Sequence, residues 1–274
     1  MKALVFAAGL GERMRPLTDA TPKPLLVAGG KPLIEWHIEK LAAIGVREIV
    51  INTSWLAEQF PRALGDGSRW GIDLHCIYEG ATPLETGGGM WNALPFLREP
   101  APAKAGGNEA FIAVNGDVWT DYDFSLLPDE PKGDAHLVLV DNPPQHPRGD
   151  FAFKPLSRRE RGWGEGTDEA KHLGDTEPSS GAARHLLPEG EGKLTFSGIG
   201  VYRPSLFDDW RDIIGDAPGV NETPPRFKLA PLLRAAMARG AVTGEHHRGR
   251  WTDVGTPERL AELDAALGQG GQNA

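Results

Sequence analysis

The chain has 274 residues, of which 40% are hydrophobic and 24% are charged, and its formal net charge is −9. This length is enough for a large hydrophobic core, whereas an acidic chain without a basic tract is a poor candidate for general nucleic-acid binding. The single cysteine, Cys76, excludes an intrachain disulfide, and its apolar surroundings predict a packed core residue.

No signal peptide precedes the first apolar run, and no run approaches the roughly 20 residues that span a bilayer. We therefore expect a cytoplasmic protein that does not contact membranes.

The stretch 4–18 begins as a short apolar strand and breaks at Gly9 and Gly11, after which Arg13, Arg15 and Lys23 supply fixed cations. A strand that ends in a glycine turn beside cations is suited to hold a phosphate chain. The pattern is neither a dinucleotide fingerprint nor a P-loop, and a Gly-x-Gly turn after a strand often binds nothing. The residues alone therefore indicate an anion site without establishing one.

The first eighty residues alternate strand, helix, strand, helix, strand. The first helix is expected from Leu33 to about Gly45, and the second over 56–60, where Pro61 ends or kinks it. The strands that follow these helices are expected over 46–51 and 73–78. This alternation predicts a parallel sheet flanked by helices, with ligands outside the carboxyl ends of the strands.

Two further segments follow predicted strands and are open to two interpretations each. The cluster 84–90, which leads into a helix over 91–97, is either a flexible turn or a flat surface for a base or sugar, with Thr86 offering a hydroxyl. In the stretch 111–118 a strand delivers Asp117 at its C-terminal end, after an Asn-Gly turn, so Asp117 is either a turn or cap residue or a ligand for Mg²⁺. Asp121 and Asp123 are spare acidic candidates, for which a solvated position is favoured.

The second half of the chain is less regular. Its expected elements are strands at 135–140, 151–153, 194–202 and 242–246 and helices at 204–210, 227–239 and 258–267. The segment from about 157 to 192 is polar and rich in Gly, Ser and Pro, so we expect a mobile insertion in which His172 and His185 are solvated. Asp253 precedes a tight turn, and the tail from residue 268 is expected to fray.

Four blocks of the chain, taken in order, resemble the sugar-1-phosphate nucleotidyltransferase family: Leu-Val-Phe-Ala-Ala-Gly-Leu-Gly-Glu-Arg-Met-Arg-Pro-Leu-Thr (4–18), Pro-Lys-Pro-Leu-Leu (22–26), Asn-Gly-Asp (115–117) and Trp-Thr-Asp-Val-Gly-Thr-Pro (251–257). The resemblance implies one Rossmann-like α/β domain over 1–274, with a mixed, mostly parallel central sheet flanked by helices. It also implies the joining of a nucleoside triphosphate to a sugar 1-phosphate, with Mg²⁺ as cofactor and pyrophosphate as product.

Within that family the chain most resembles the short bacterial N-acetylmuramate-1-phosphate uridylyltransferases of peptidoglycan recycling, through the segments 52–59, 84–89, 115–121, 142–151 and 196–202. Thymidylyl- or uridylyltransferases of glucose 1-phosphate and guanylyltransferases of mannose 1-phosphate are the alternatives, because they share the phosphate loop. A catalytically inactive nucleotide-sensing homologue is the alternative from another class. It is disfavoured because Arg13, Lys23, Asp117 and Asp253 are all present.

The resemblance assigns roles to individual residues. The residues implied to bind the nucleotide are Ala8, Gly9, Leu10, Gly11, Glu12, Arg13, Lys23, Thr86, Gly88 and Asn115. Arg13 and Lys23 are the implied catalytic cations, Asp117 and Asp253 the implied Mg²⁺ ligands, and Asp150 and Gly198 the implied sugar contacts. The implied partners are small molecules alone, and the implied state is a monomer or weak oligomer.

Overall fold

The computed structural model describes residues 1–98, 110–154, 183–190 and 192–270. The strands within these residues are β1 (Lys2–Phe6), β2 (Val27–Ala28), β3 (Lys31–Pro32), β4 (Glu48–Thr53), β5 (Asp73–Tyr78), β6 (Phe111–Asn115), β7 (Val118–Thr120), β8 (Ala135–Val140), β9 (Ala152–Phe153), β10 (Arg184–Leu187), β11 (Thr195–Tyr202), β12 (Val242–His247) and β13 (Trp251–Asp253). The helices are α1 (Leu17–Ala20), α2 (Leu33–Ala43), α3 (Gln59–Leu64), α4 (Glu85–Leu97), α5 (Trp210–Ile214), α6 (Ala230–Ala238) and α7 (Pro257–Gly270). Among these helices, none is both long and apolar enough to cross a membrane.

Nine strands form one mixed sheet in the order β5-β4-β1-β6-β11-β8-β12-β10-β9. The four strands from β5 to β6 run parallel, as the alternation in the first eighty residues predicts. Strand β11 is antiparallel to both β6 and β8, which makes the sheet mixed. The expected α/β fold with a mixed central sheet is confirmed.

Helices cover both faces of this sheet. Successive residues of a strand point to opposite faces, and β1 shows this directly: Leu4 packs with residues of α4 and α6, whereas Ala3 and Val5 pack with residues of α2 and α3. The sheet is therefore buried on both sides, which explains why its central strands are almost continuously apolar.

The structure corrects the expectation for Cys76. This residue is exposed, because β5 is the edge strand of the sheet and three other residues on it, Asp73, His75 and Tyr78, are exposed as well. An apolar run at a sheet edge is thus compatible with a solvent-accessible thiol. Partial burial against other parts of the protein still raises the pKa of the Cys76 thiol.

Several helix boundaries also differ from the prediction. The helix expected over 204–210 is a 3-10 turn over Pro204–Phe207 followed by α5, and the one expected over 227–239 is α6, which begins three residues later. Helix α3 begins at Gln59, so Pro61 lies in its first turn, where proline is tolerated, and does not end it. Helix α7 continues to Gly270, beyond the point at which the tail was expected to fray.

The greater part of the segment 157–192 lies outside the described residues, and so does His172. The described part includes β10, which pairs with β12 and β9 and so adds a strand that the polar composition did not predict. His185, on this strand, is exposed as expected.

Candidate active site

A cavity of about 460 Å³ opens at the carboxyl ends of β5, β4, β1 and β6. Each of these strands supplies a lining residue at or just beyond its end. The lining residues are Phe6, Ala7, Ala8, Gly9, Leu10, Lys23, Pro24, Asn52, Glu79, Thr82, Pro83, Glu85, Thr86, Asn115, Asp117 and Arg226. The cavity therefore lies where a parallel sheet is expected to bind a ligand.

The glycine loop that follows β1 forms one wall of this cavity. Gly9 is exposed, and a Cβ atom added to it would meet nothing within 4 Å. In the described part of the chain, the backbone N–H groups of Gly9, Leu10 and Gly11 have no protein acceptor. Open space beside unpaired N–H groups is the arrangement that binds an anion.

Gly11 lies outside the cavity lining and shapes the loop. Its φ is +66°, and its carbonyl accepts a hydrogen bond of 2.8 Å from the Thr18 hydroxyl. Glu12 and Arg13 continue into a short 3-10 turn with exposed side chains, so neither lines the cavity.

The segment after β4 is hydrogen-bonded to α1, the short helix that follows the glycine loop. The indole nitrogen of Trp55 donates a hydrogen bond of 2.8 Å to the Thr18 carbonyl, and the Gln59 amide donates one of the same length to the Ala20 carbonyl. These two side chains belong to the segment 52–59, for which the sequence indicated a resemblance but no role.

Lys23 and Asp117 form an ion pair inside the cavity. Lys23 Nζ lies 2.5 Å from Asp117 Oδ2, and the lysine residue is only 8% exposed. Because this ammonium is largely withdrawn from water, its attraction to an anion is screened less than that of a surface lysine. The structure thus brings together a catalytic cation and a metal ligand that the sequence resemblance implied.

Asp253 is brought next to Asp117 by a small two-stranded sheet. Strands β13 and β7 pair antiparallel with Asp253 opposite Val118, and the Val254 N–H donates a hydrogen bond of 3.0 Å to the Asp117 carbonyl. The Asp253 carboxylate accepts a hydrogen bond of 2.6 Å from Gln145 and forms an ion pair with Arg259. Neither Gln145 nor Arg259 was singled out by the sequence.

Further contacts stabilise the segments that carry Asp117 and Asp253. Asp121 accepts hydrogen bonds of 2.8 Å from His247 and from the Arg250 N–H, and Tyr122 is hydrogen-bonded to Glu245. The Tyr122 and Glu245 side chains are buried, and burial is the largest cause of the raised pKa of the Tyr122 hydroxyl. Asp121 therefore has structural partners, whereas it was expected to be only solvated. Asp123 caps a short 3-10 turn by accepting from Ser125 N–H.

A second carboxylate, Glu79, forms the floor of the cavity. It is 5% exposed, accepts hydrogen bonds from Asn52 Nδ2 at 2.6 Å and from the Leu84 N–H at 3.0 Å, and burial raises its pKa. Asn52 in turn accepts from the Ala7 N–H at 2.8 Å. This chain of hydrogen bonds joins the end of β1 to the start of α4, so it fixes the distance between two cavity walls.

The second glycine cluster is part of α4, which corrects the interpretation of a flexible turn. The predicted helix over 91–97 begins six residues earlier, at Glu85. Thr86 lines the cavity, whereas Gly88 is buried and donates its N–H to the Phe227 carbonyl at 2.9 Å. A Cβ atom on Gly88 would lie 2.4 Å from the Pro225 carbonyl oxygen. The space left by this glycine is occupied by the protein's own backbone.

The two residues implied to contact a sugar meet β11 at its bulge between Phe196 and Ile199: Gly198 lies in the bulge, and Asp150 is hydrogen-bonded to its first residue. The Asp150 carboxylate accepts hydrogen bonds from the Phe196 N–H at 2.9 Å and from His146 at 3.1 Å. Gly198 has a φ of +83°, and a Cβ atom there would lie 2.6 Å from Asn115 Nδ2. Asn115 lines the cavity, but Asp150 and Gly198 do not.

Comparison with known proteins identifies the family. Residues 2–151 match the model of the nucleotidyl transferase family, and 98% of the chain matches 99% of the N-acetylmuramate α-1-phosphate uridylyltransferase of Neisseria meningitidis at 44% identity. The chain belongs to the nucleotidyl transferase family. Members of this family generally use a divalent metal ion.

Two further matches extend over nearly the whole chain. The N-acetylmuramate α-1-phosphate uridylyltransferase of Caulobacter vibrioides is 27% identical, with 97% of both chains covered. A solved Bacillus anthracis protein assigned as a glucose-1-phosphate thymidylyltransferase superposes with a TM-score of 0.69 at 20% identity, covering 98% of this chain and 95% of that one. The structural likeness confirms the Rossmann-like α/β fold.

Proposed function

We propose that this protein transfers a uridylyl group from UTP to N-acetylmuramate 1-phosphate and releases pyrophosphate, as a step of peptidoglycan recycling. The observation that carries the proposal is the 44% identity, over nearly the full length of both chains, to the Neisseria meningitidis enzyme named for this activity. The cavity supports it, since Gly9 and Leu10 of the glycine loop, Lys23 and Asp117 all line it.

The reaction needs no protein nucleophile. An oxygen of the sugar phosphate attacks the α-phosphorus of UTP in line, a new P–O bond forms, and the bond to the bridging α–β oxygen breaks as pyrophosphate leaves. In this proposal the N–H groups of Gly9 and Leu10, which line the cavity, bind the triphosphate together with that of Gly11 just beyond the lining. Arg13, whose side chain is exposed outside the lining, neutralises the phosphates that depart. Lys23 stabilises the charge that grows at the α-phosphate.

The residues present fit a Mg²⁺ ion. Asp117 directly precedes β7 and Asp253 ends β13, and both offer hard carboxylate oxygens. Two carboxylates would leave coordination positions for phosphate oxygens and water, as Mg²⁺ prefers. When bound, Mg²⁺ would supply positive charge to the reacting phosphates.

The nucleoside lies, in this proposal, between Ala8, Thr86 and Asn115, which all line the cavity. Asp150 and Gly198 hold the loop and the strand bulge against which the sugar binds. The proposed nucleoside triphosphate substrate supports a cytoplasmic location.

A panel of substrates tests the proposal. The purified full-length protein is incubated with Mg²⁺ and each pairing of UTP, dTTP or GTP with the 1-phosphates of N-acetylmuramate, glucose or mannose, and pyrophosphate release is measured. We expect the highest kcat/KM for UTP with N-acetylmuramate 1-phosphate and loss of turnover when EDTA removes divalent metal. A preference for glucose 1-phosphate would overturn the sugar assignment. No release with any pair would favour the inactive nucleotide-sensing homologue.

A further inference from the structure

The backbone at Glu85 is strained. Its φ is +63°, a left-handed conformation that costs free energy for a residue with a Cβ atom. Among the described residues outside glycine, Leu56, with a φ of +50°, is the other case. Glycine would adopt this conformation without strain, so a glutamate here requires an explanation from its side chain.

The Glu85 side chain is exposed at the wall of the cavity, on the first residue of α4. In the part of the chain that the structure describes, its carboxylate has no hydrogen-bond or ion-pair partner. The nearby carboxylate of Glu79 differs, because it is buried and already accepts from Asn52 and Leu84. The Glu85 carboxylate can therefore accept hydrogen bonds from a ligand in the cavity.

Arg226, which lines the same cavity as Glu85, is already paired. Arg226 donates hydrogen bonds of 3.2 and 3.0 Å to the two carboxylate oxygens of Glu222. This contact is the larger cause of the raised pKa of Arg226, and the charge of Glu85 adds to it. Glu85 is thus near Arg226 but does not neutralise it in an ion pair, and its oxygens remain available to a ligand.

An ionised carboxylate accepts hydrogen bonds and donates none, and it repels phosphate. Lys23 and the glycine loop define the phosphate wall of the cavity, so the remaining part of a bound nucleotide is its nucleoside. The donors that UTP offers there are the ribose hydroxyls and the N3–H of uracil. Cytosine presents an acceptor at N3, and a 2′-deoxyribose lacks one hydroxyl.

We propose that Glu85 is a nucleoside-recognition residue whose carboxylate accepts a hydrogen bond from a donor group of the nucleoside of UTP. The proposal rests on the proposed function, because it takes UTP as the ligand. The strained backbone is then retained because glycine, which would relieve the strain, removes the acceptor.

Glu85→Gly separates recognition from stability. Calorimetry of UTP binding to the full chain should show a Kd raised roughly tenfold or more, as expected for loss of a hydrogen bond to a charged group. The melting temperature should equal or exceed that of the unmodified chain, because glycine relieves the strain. Leu56→Gly is the matched control, since Leu56 is strained but does not line the cavity. It should keep or raise the melting temperature and leave the Kd for UTP unchanged.

Binding of 2′-deoxy-UTP, 3′-deoxy-UTP and CTP identifies the donor. If the ribose 2′-hydroxyl or 3′-hydroxyl is the partner, the penalty for the analogue that lacks that hydroxyl, relative to UTP, shrinks in Glu85→Gly. If N3–H is the partner, the penalty for CTP shrinks instead. An unchanged Kd for UTP in Glu85→Gly, or unchanged penalties for all three analogues, would overturn the assignment.

The outcome for Glu85 is separable from that for the proposed function. If the protein binds and turns over UTP, and Glu85→Gly leaves the Kd for UTP unchanged, the proposed function stands and the role of Glu85 is rejected. If the protein does not bind UTP at all, both proposals are rejected. A Glu85→Gly variant with a clearly lowered melting temperature would show a structural role and so contradict the proposal.

Discussion

Two glycine-rich segments line or adjoin the same cavity, and they use glycine for opposite reasons. A Cβ atom on Gly9 would meet nothing within 4 Å, whereas one on Gly87 or Gly88 would lie 2.6 Å or less from neighbouring protein atoms. The first segment leaves room for a ligand. The second leaves room for the protein's own chain at 225–228.

This difference teaches that glycine content alone does not identify a binding loop. Both segments follow strands, so they look alike in the sequence. They differ in what fills the space that a side chain would take. Nothing fills it at Gly9, whereas residues 225–228 fill it at Gly87 and Gly88. We therefore expect substitutions in the open segment to impair substrate binding, and substitutions in the packed segment to lower stability.

The largest expected effect lies opposite the open segment, at Asp117. Asp117→Asn keeps the size of the side chain but removes the charge that pairs with Lys23 and would bind Mg²⁺. We expect pyrophosphate release to fall by a factor of about a hundred or more, on the order of 3 kcal/mol, with an unchanged circular dichroism spectrum. Asp123→Asn is the control and should retain activity, because Asp123 caps a turn away from the cavity. Normal turnover by Asp117→Asn would remove the metal assignment.

The packed segment is tested by Gly88→Ala. The added Cβ would lie 2.4 Å from the Pro225 carbonyl oxygen, so backbone must move. Overpacking of this kind costs about 2 kcal/mol of unfolding free energy, which chemical denaturation would measure. An equally stable Gly88→Ala variant would mean that the segment 225–228 yields easily, and the contrast between the two glycine segments would disappear.

The open segment is tested by the same change at Gly9. Because nothing lies near its Cβ position, Gly9→Ala should leave the melting temperature unchanged or slightly higher. The added methyl group would keep the triphosphate from the backbone, so we expect the KM for UTP to rise roughly tenfold, about 1.4 kcal/mol. A stability loss as large as that of Gly88→Ala would contradict the distinction.

The smallest expected effect concerns the support of the open segment. Trp55→Phe removes the hydrogen bond to the Thr18 carbonyl and should cost about 1 kcal/mol or less of stability. Since the loop is then held less firmly, we also expect a modest rise in the KM for UTP. Trp36→Phe is matched, because it loses a similar bond to the Ala28 carbonyl away from the glycine loop. It should lower stability by a similar amount without changing this KM.

Local sequence was sufficient for much of the fold. The strands β5 and β8 agree with their predicted bounds, Asp73–Tyr78 and Ala135–Val140. The parallel half of the sheet follows from the alternation of apolar runs and helical stripes, since both patterns depend on residues close in sequence. The opening block likewise indicated an anion site, because strand, glycines and cations are all within one short stretch.

The sequence by itself therefore determined the fold class, the glycine loop and the candidate residues Lys23, Asp117 and Asp253. Only the tertiary structure decided which residues meet. It placed Asp253 beside Asp117 through the β7–β13 pair, exposed Cys76 at a sheet edge, and turned Gly88 away from the cavity towards residue 225. It also revealed the strained Glu85. These features depend on contacts between residues far apart in the chain, which a local pattern does not encode.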